Sequence, residues 1–362
     1  MIPIAKPVIT GAEKSRVLEV MDSGMLASGR YVKDFSQRFA EFIGSRYGTA
    51  TSSGTAALHT ALLAAGIKEG DKVATTPFTF IASSNSILYT GAEPVFVDIN
   101  PATYNIDADK LELKLQSDPE ISAVLIVHLY GLSCDMDRIM ELVEKYNLIL
   151  IEDCAQSHGA EYKGKRVGTF GDASIFSFYP TKNMTTGEGG IVLTDSEKIY
   201  NKAASIINHG QKEKYYHDRL GYNFRMTNIA AAVGLAQLEK LPEFNISRIE
   251  NAALFDQEFS ELDWIKTPTV PEKRKHVYHQ YTVRVKDRDR FADYLTEKGI
   301  GYGIHYPLTV NKQPYYKKLG CAELKFAEAE KAAEEVISLP VHPALSDAEL
   351  EQIVEAVKNY RS

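Results

Sequence analysis

An alternation of short apolar segments with longer helix-forming segments, which runs through the first two thirds of the chain, constrains the fold more than any other feature. Strands are predicted at residues 72–76, 94–98, 123–129, 148–152, 174–178 and 191–194, and helices at residues 55–65, 83–89, 108–116 and 137–146. The strands are continuously apolar rather than alternating, which indicates that both faces are buried. The pattern therefore predicts an α/β fold with a large, mostly parallel sheet covered by helices.

The pattern changes after residue 245. A helix is predicted at 246–262, an alternating strand at 279–285, a helix at 290–297 and two closing helices after that. A chain of 362 residues also exceeds what one hydrophobic core usually organises. We therefore predict a large domain at residues 1–245 and a smaller C-terminal α+β domain at residues 246–362.

Composition and charge narrow the function classes. The formal net charge is −7, which gives no electrostatic attraction toward nucleic acid or an anionic membrane. Cys134, Cys154 and Cys321 form no C-x-x-C pair, which indicates neither a disulfide framework nor a zinc site. The N-terminal residues do not resemble a signal peptide, and the longest apolar stretch, residues 121–132, is too short to span a bilayer. We expect a cytoplasmic protein without a metal site and without a nucleic-acid or membrane partner.

A turn of small residues precedes the predicted helix at 55–65. The sequence TSSGTAAL begins at Thr51, so Ser53, Gly54 and Thr55 lie where the first backbone N–H groups of the helix have no partner. These groups and the positive end of the helix dipole can bind a phosphate. The same residues are also typical of a simple helix cap, and the segment alone does not distinguish the two.

Asp153 follows an apolar strand in the sequence LILIEDCAQSHGA. This position is the carboxyl edge of a parallel sheet, where open α/β sheets bind their ligands. The carboxylate could cap the next turn, or it could pair with a cationic group of a ligand.

Lys182 lies between two predicted strands, in a Pro-Thr-Lys turn that leads into a glycine-rich segment. Most lysines are solvated, but a lysine held between buried strands is typical of a nucleophile whose pKa is lowered by desolvation. A phosphate site, a carboxylate at a strand end and a buried lysine are the three groups that pyridoxal phosphate requires. The constellation therefore predicts a pyridoxal-phosphate site.

Two weaker motifs do not indicate further sites. Residues 159–165 match G-x-x-x-x-G-K, but Arg166 stands where a P-loop requires Ser or Thr, and the segment is typical of a hairpin turn. His276 and His279 have H-x-x-H spacing without a third ligand. Solvated or locally hydrogen-bonded histidines explain this pair better than a metal site.

Several strings together resemble the DegT/DnrJ/EryC1/StrS sugar aminotransferases. They are SSGTAAL, PFTFIASSN, EDCAQSHGA, FSFYPTKNMTTGEGG, GYNFRMTNIAAAVGLAQL and the late HYP, and they cover nearly the whole chain in order. The resemblance implies a fold-type-I, pyridoxal-phosphate-dependent enzyme with pyridoxamine phosphate as its intermediate form. It also implies that the N-terminal segment, before about residue 20, wraps onto the small domain.

The resemblance assigns roles to individual residues. Lys182 would bond to the cofactor aldehyde, Asp153 would pair with the pyridine nitrogen, Gln156 would reach the ring hydroxyl and Phe80 would stack on the ring. Ser53, Gly54, Thr55 and Ser177 would hold the phosphate. Asn223 would reach the phosphate of the neighbouring subunit, which implies a homodimer with shared active sites. Arg225, His305 and Tyr306 would face the substrate.

The implied activity is transfer of an amino group from an amino acid, glutamate, to a nucleotide-linked 3-keto or 4-keto sugar, for amino-sugar and surface-polysaccharide biosynthesis. Some members of the family have histidine at the lysine position and catalyse a dehydration, so Lys182 favours transamination. Two alternatives stay open: a pyridoxal-phosphate enzyme acting on a cyclitol or another keto substrate, and a regulatory or sensing member without catalysis.

Overall fold

A seven-stranded sheet forms the centre of the molecule in the computed structural model, which describes residues 1–360. Its strands are β1 (Tyr47–Thr51), β2 (Lys72–Thr75), β3 (Glu93–Phe96), β4 (Ile121–Val127), β5 (Ile149–Asp153), β8 (Ala173–Ser177) and β9 (Gly190–Thr194). They lie in the order β1-β9-β8-β5-β4-β2-β3. β9 runs antiparallel to both neighbours, and every other neighbouring pair is parallel. The predicted α/β fold with a mostly parallel sheet is confirmed.

Helices surround this sheet and continue into the C-terminal part. They are α1 (Gly11–Asp22), α2 (Arg30–Ile43), α3 (Gly54–Ala65), α4 (Ile81–Tyr89), α5 (Ala108–Ser117), α6 (Met136–Tyr146), α7 (Glu197–Ile206), α8 (Asn228–Phe259), α9 (Arg288–Glu297), α10 (Pro314–Lys318), α11 (Ala327–Glu335) and α12 (Asp347–Asn359). The remaining strands are short: β6 (Glu161–Tyr162), β7 (Lys165–Arg166), β10 (Gln211–Glu213), β11 (Tyr216–His217), β12 (Ile265–Lys266), β13 (Arg274–Lys275), β14 (Tyr281–Val285) and β15 (Val336–Leu339). No helix among the described residues is long and apolar enough to cross a membrane.

Most predicted elements are present with small shifts at their ends, but the start of the helix predicted at 246–262 is wrong. α8 begins at Asn228, passes Pro242 without ending and reaches Phe259. Proline removes one helical hydrogen bond, and that cost is offset here by packing, because buried residues recur along α8 on both sides of Pro242 and the helix packs on α1 and α2. The domain boundary predicted at 245/246 therefore falls inside this helix, and the division itself stays a prediction.

A second hydrophobic core lies in the C-terminal part of the chain. The three-stranded sheet β12-β14-β15 packs with α9, α12 and the end of α8, and Phe255, Tyr281 and Phe291 are fully buried there. The N-terminal segment joins this core, because Ile2 is buried in it, donates to Gly299 O at 2.8 Å and accepts from Gly301 N–H at 2.7 Å.

Glu152, on β5 of the central sheet, holds the loop before β8 through hydrogen bonds. Its fully buried carboxylate accepts hydrogen bonds from the N–H groups of Gly168, Phe170 and Gly171 at 2.7–2.8 Å and lies 3.0 Å from His128 Nε2. Nδ1 of His128 accepts from the Cys134 amide, so Nε2 carries the proton and donates to Glu152. Burial opposes ionisation of Glu152, but these hydrogen bonds outweigh it and lower its pKa.

We predict that Glu152→Ala lowers the free energy of unfolding by about 3 kcal/mol or more, because it leaves a buried imidazole and three amides without an acceptor. Chemical denaturation of the two proteins measures the difference. Glu161→Ala is the control, since it removes a carboxylate that pairs with Lys275 at the surface and should cost less than about 1 kcal/mol. Equal losses in the two variants would contradict the prediction.

Candidate active site

A cleft of about 610 Å³ lies at the carboxyl edge of the central sheet. The parallel strands β1, β2, β4, β5 and β8 all end at this edge, and the segments that follow them line the cleft. Ligand sites of open α/β sheets form at such an edge because each strand end delivers a side chain or a helix N-terminus there. The cleft is completed from the C-terminal part by His279, Gln280, His305 and Tyr306.

The N-terminus of α3 forms one end of the cleft. Ser53 is the N-cap residue, and its hydroxyl accepts from Ala56 N–H at 3.1 Å. This leaves the N–H groups of Gly54 and Thr55, which have no partner within a helix. A Cβ atom on Gly54 would lie 2.7 Å from Cβ of Ser177, so only glycine allows the Ser177 hydroxyl to approach these amides. Ser53, Gly54, Thr55 and Ser177 together can bind an anionic group, and we call them the anion cradle.

Asp153 is the last residue of β5, and its side chain is 4% exposed. Oδ2 accepts from the Ser83 hydroxyl at 2.7 Å and Oδ1 from Ala155 N–H at 3.1 Å. Burial is the largest effect on this carboxyl and raises its pKa, although both hydrogen bonds and the charge of Lys182 act in the opposite direction. A cationic ring nitrogen in the cleft would therefore find an acceptor that is held in place and shielded from water.

Lys182 lines the same cleft, in the turn after β8. Burial lowers its pKa to about 8, and the negative charge of Asp153 partly opposes this change. About a tenth of the Lys182 amine is therefore unprotonated at pH 7, far more than of an exposed lysine, and this form is the nucleophile.

A hydrogen-bonded chain joins the two sides of the cleft. Oε1 of Gln156 accepts from Tyr130 N–H at 2.8 Å, so its Nε2 is directed at Tyr306, whose hydroxyl it meets at 3.1 Å. The Tyr130 hydroxyl in turn donates to the carbonyl oxygen of His305. Burial, the largest effect, raises the pKa of Tyr306. The phenol therefore keeps its proton and can donate it to an oxygen in the cleft.

Three histidines close to Lys182 are held neutral. Burial and the charge of Lys182 lower the pKa of His158 to about 3 and that of His305 to about 4, and they also lower the pKa of His279 well below its usual range. Of the side chains that line the cleft in the described part of the chain, Lys182 is therefore the one that can carry a positive charge. Asp153 and Glu188 contribute carboxylates to the same lining.

These residues fit pyridoxal phosphate on structural grounds. The anion cradle suits its phosphate, the buried carboxylate of Asp153 suits its pyridine nitrogen, and the amine of Lys182 suits its aldehyde. All three open into one cleft.

Comparison with known proteins identifies the family. The sequence model described as the DegT/DnrJ/EryC1/StrS aminotransferase family matches residues 7–358. The chain belongs to this family. Aminotransferases of the DegT/DnrJ/EryC1/StrS family depend on pyridoxal phosphate, which agrees with the fit of the cleft.

Individual relatives are similar over nearly their whole length. GDP-perosamine synthase of Escherichia coli O157:H7 is 40% identical, with 100% of this chain and 99% of the relative covered. A protein of Geobacillus stearothermophilus named pleiotropic regulatory protein is also 40% identical, over 96% of this chain and 94% of the relative. The crystal structure of DesV from S. venezuelae, in complex with a ketimine intermediate, superposes with a TM-score of 0.93 at 33% identity and covers 97% of this chain and 95% of that one. The predicted fold-type-I architecture is confirmed.

The cleft brings together most of the site residues that the sequence predicts for a member of the family. They are Ser53, Gly54, Thr55, Phe80, Asp153, Gln156, Ser177, Lys182, His305 and Tyr306. Asn223 and Arg225 do not line the cleft of their own chain: Asn223 is exposed, and Arg225 donates to Asn208 Oδ1 at 2.8 Å.

The cleft also contains side chains that the sequence predictions missed: Thr79, Ser83, Tyr179, Thr181, Glu188, His279 and Gln280. Ser83 lies within the PFTFIASSN string and Glu188 within the glycine-rich segment, so proximity to a predicted site residue could have found them.

The only sequence signal for His279 is its H-x-x-H spacing with His276. His276 and His279 are both buried, so solvation is wrong, whereas the local hydrogen bond is confirmed for His276, whose Nδ1 accepts from Tyr278 N–H at 2.9 Å.

We predict that the Lys182 amine loses its proton near pH 8, whereas an exposed lysine keeps its proton until about pH 10. The rate at which an amine-selective reagent modifies Lys182 in the cofactor-free protein, followed against pH by peptide mass spectrometry, measures the midpoint. Asp153→Asn should lower the midpoint further, because it removes a negative charge that favours the protonated amine. A midpoint equal to that of Lys165, a lysine outside the cleft, would contradict the prediction.

Proposed function

We propose that this protein transfers an amino group from an amino acid, glutamate, to a nucleotide-linked keto sugar. The observation that supports it best is the meeting of Lys182, Asp153 and the N-terminus of α3 in one cleft. The names of similar proteins agree, since one relative is a GDP-perosamine synthase. We assign the product to amino-sugar and surface-polysaccharide biosynthesis.

Each residue has a defined task in this proposal. Bound pyridoxal phosphate supplies an aldehyde and a ring that withdraws electrons from an attached amino acid. Asp153 holds a proton on the ring nitrogen, and the cradle at α3 fixes the phosphate. Lys182, once it is a free amine, would remove the proton from the α-carbon of the donor and return it at the carbon that belonged to the cofactor aldehyde.

A second candidate function comes from the relative named pleiotropic regulatory protein. A regulatory member could bind a nucleotide sugar without turnover. Such a protein has no need of a lysine with a lowered pKa beside a buried carboxylate, so the geometry around Lys182 favours the enzyme. An enzyme acting on a cyclitol would share every residue of the cofactor site and differs only in its substrate.

We predict that the purified protein binds pyridoxal phosphate with a visible absorption band, that Lys182→Ala abolishes this band and that glutamate converts it to a band at shorter wavelength. The band requires a covalent bond to the lysine, so Lys165→Ala, which removes a lysine outside the cleft, should leave it unchanged. A protein that stays colourless after incubation with pyridoxal phosphate would refute the enzyme, and a band that glutamate leaves unchanged would refute the donor.

The same spectrum identifies the acceptor. After glutamate has converted the protein, a panel of nucleotide-linked 3-keto and 4-keto sugars, with and without a 6-carboxylate, is added together with a keto cyclitol. The true acceptor restores the original band and yields an amino sugar that mass spectrometry detects. Return of the band with the cyclitol alone would establish the alternative.

We further propose a cytoplasmic homodimer in which Asn223 reaches the phosphate site of the partner. Its support is that Asn223 is exposed and lies outside its own cleft. Four large apolar side chains within residues 18–26 are also exposed, namely Leu18, Met21, Met25 and Leu26. An apolar surface of this kind is typical of an interface.

We predict that two inactive variants restore activity when they are mixed. Asn223→Ala weakens cofactor binding in the partner, and Lys182→Ala removes the nucleophile of its own cleft. In a mixed dimer one cleft has both residues, so random exchange of subunits should recover about a quarter of the wild-type activity. The measurement is activity after co-refolding, compared with each variant alone. No recovery would show that Asn223 acts within its own chain.

A further inference from the structure

The polar partner of the Asp153 carboxylate comes from the first turns of α4, not from the strand that carries Asp153. The Ser83 hydroxyl lies 2.7 Å from Oδ2 of Asp153, and the Thr79 hydroxyl lies 3.0 Å from that of Ser83. Ser83 is 1% exposed and Thr79 is 3% exposed. Both hydroxyls are therefore largely screened from water.

The direction of this chain depends on the charge of Asp153. An ionised carboxylate can only accept, so the one proton of Ser83 must point at Asp153. The oxygen of Ser83 then accepts the proton of Thr79. A protonated Asp153 could donate to Ser83 and reverse both bonds, which would turn the Thr79 hydroxyl into an acceptor. The order Thr79, Ser83, Asp153 is thus the arrangement that matches an ionised carboxylate.

Asp153 has few other groups that favour ionisation. Ala155 N–H is the second donor, and the charged or titratable groups that face the carboxyl are Lys182, His128, Cys154 and Tyr306. His128 already donates to Glu152 and contributes no direct hydrogen bond. Hydrogen bonds to a charged group are roughly twice as strong as neutral ones, so the Ser83 hydroxyl is a principal local support of the charge.

We propose that Ser83, supported by Thr79, is a positioning residue that keeps the Asp153 carboxylate ionised and directed at the ring of the cofactor. The inference rests on the proposed function, since it assumes that pyridoxal phosphate occupies the cleft. The turn that supplies both hydroxyls also carries Phe80, which is predicted to stack on the ring. In this proposal the turn at residues 79–83 contacts the face of the cofactor ring through Phe80 and supports the Asp153 carboxylate at the ring nitrogen through Ser83.

The test measures the protonation of the ring nitrogen directly. Wild type and variants are loaded with pyridoxal phosphate labelled with ¹⁵N in the ring, and the ¹⁵N chemical shift reports whether the nitrogen carries a proton. Ser83→Ala removes the donor to Asp153, and Thr79→Val removes only its support. Ser86→Ala is the matched control: Ser86 is fully buried on the same helix, but its hydroxyl donates to the Ser83 carbonyl oxygen and does not touch Asp153.

We expect the resonance of Ser83→Ala to move toward the value of unprotonated pyridine, with a kcat about ten-fold lower, because the shared proton passes toward Asp153. Thr79→Val should move it less in the same direction, and Ser86→Ala should match wild type. A resonance that stays at the wild-type value in both Ser83→Ala and Thr79→Val, or that moves equally in Ser86→Ala, would overturn the inference. Failure of wild type to bind the labelled cofactor would instead refute the proposed function.

Discussion

Six parallel strands end at one edge of the central sheet, and the rest of the molecule depends on that common edge. Five of these strand ends deliver the N-terminus of α3, the turn before α4, Val127, Asp153 and Ser177 to the same cleft, although these residues are far apart in the chain. β9 runs in the opposite direction, and this reversal returns the chain after Lys182 to the sheet. Lys182 is thereby held between β8 and β9 rather than on a free loop. The geometry of the site is thus a consequence of sheet topology.

Two adjacent carboxylates on β5 show how local donors decide charge inside this fold. Glu152 and Asp153 point to opposite faces, as successive strand residues must, and burial disfavours the ionised form of both. Glu152 receives three amide hydrogen bonds and one from His128, and its pKa is lowered. Asp153 receives one hydroxyl and one amide hydrogen bond, and its pKa is raised. The structural carboxylate is therefore saturated with donors, whereas the carboxylate of the cleft retains capacity for a cationic ligand.

Features that depend on local sequence could be predicted, and those that depend on packing could not. Six of the seven central strands and the turns at Ser53, Asp153 and Lys182 follow from apolar runs and small residues, whereas β1 was not predicted. The structure brings these turns together. The length of α8 was missed because a proline usually ends a helix, and only its contacts with α1 and α2 explain why it does not. The hydrogen bond of Ser83 also depends on packing, since its partner Asp153 lies 70 residues away in the chain, and no local pattern predicts it.

The charge of the cleft argues for a second chain at the site. A phosphate, a donor dicarboxylate and a nucleotide diphosphate are all anions, yet Lys182 is the cation among the cleft-lining side chains of the described chain and the nearby histidines are neutral. The cradle at α3 can neutralise one phosphate through backbone amides. Further anionic groups require cations from elsewhere, and the exposed hairpin of β10 and β11, with Lys212 and Lys214, lies on the same segment of chain as Asn223 and Arg225. We propose that these cations serve the cleft of a partner subunit rather than the cleft of their own chain.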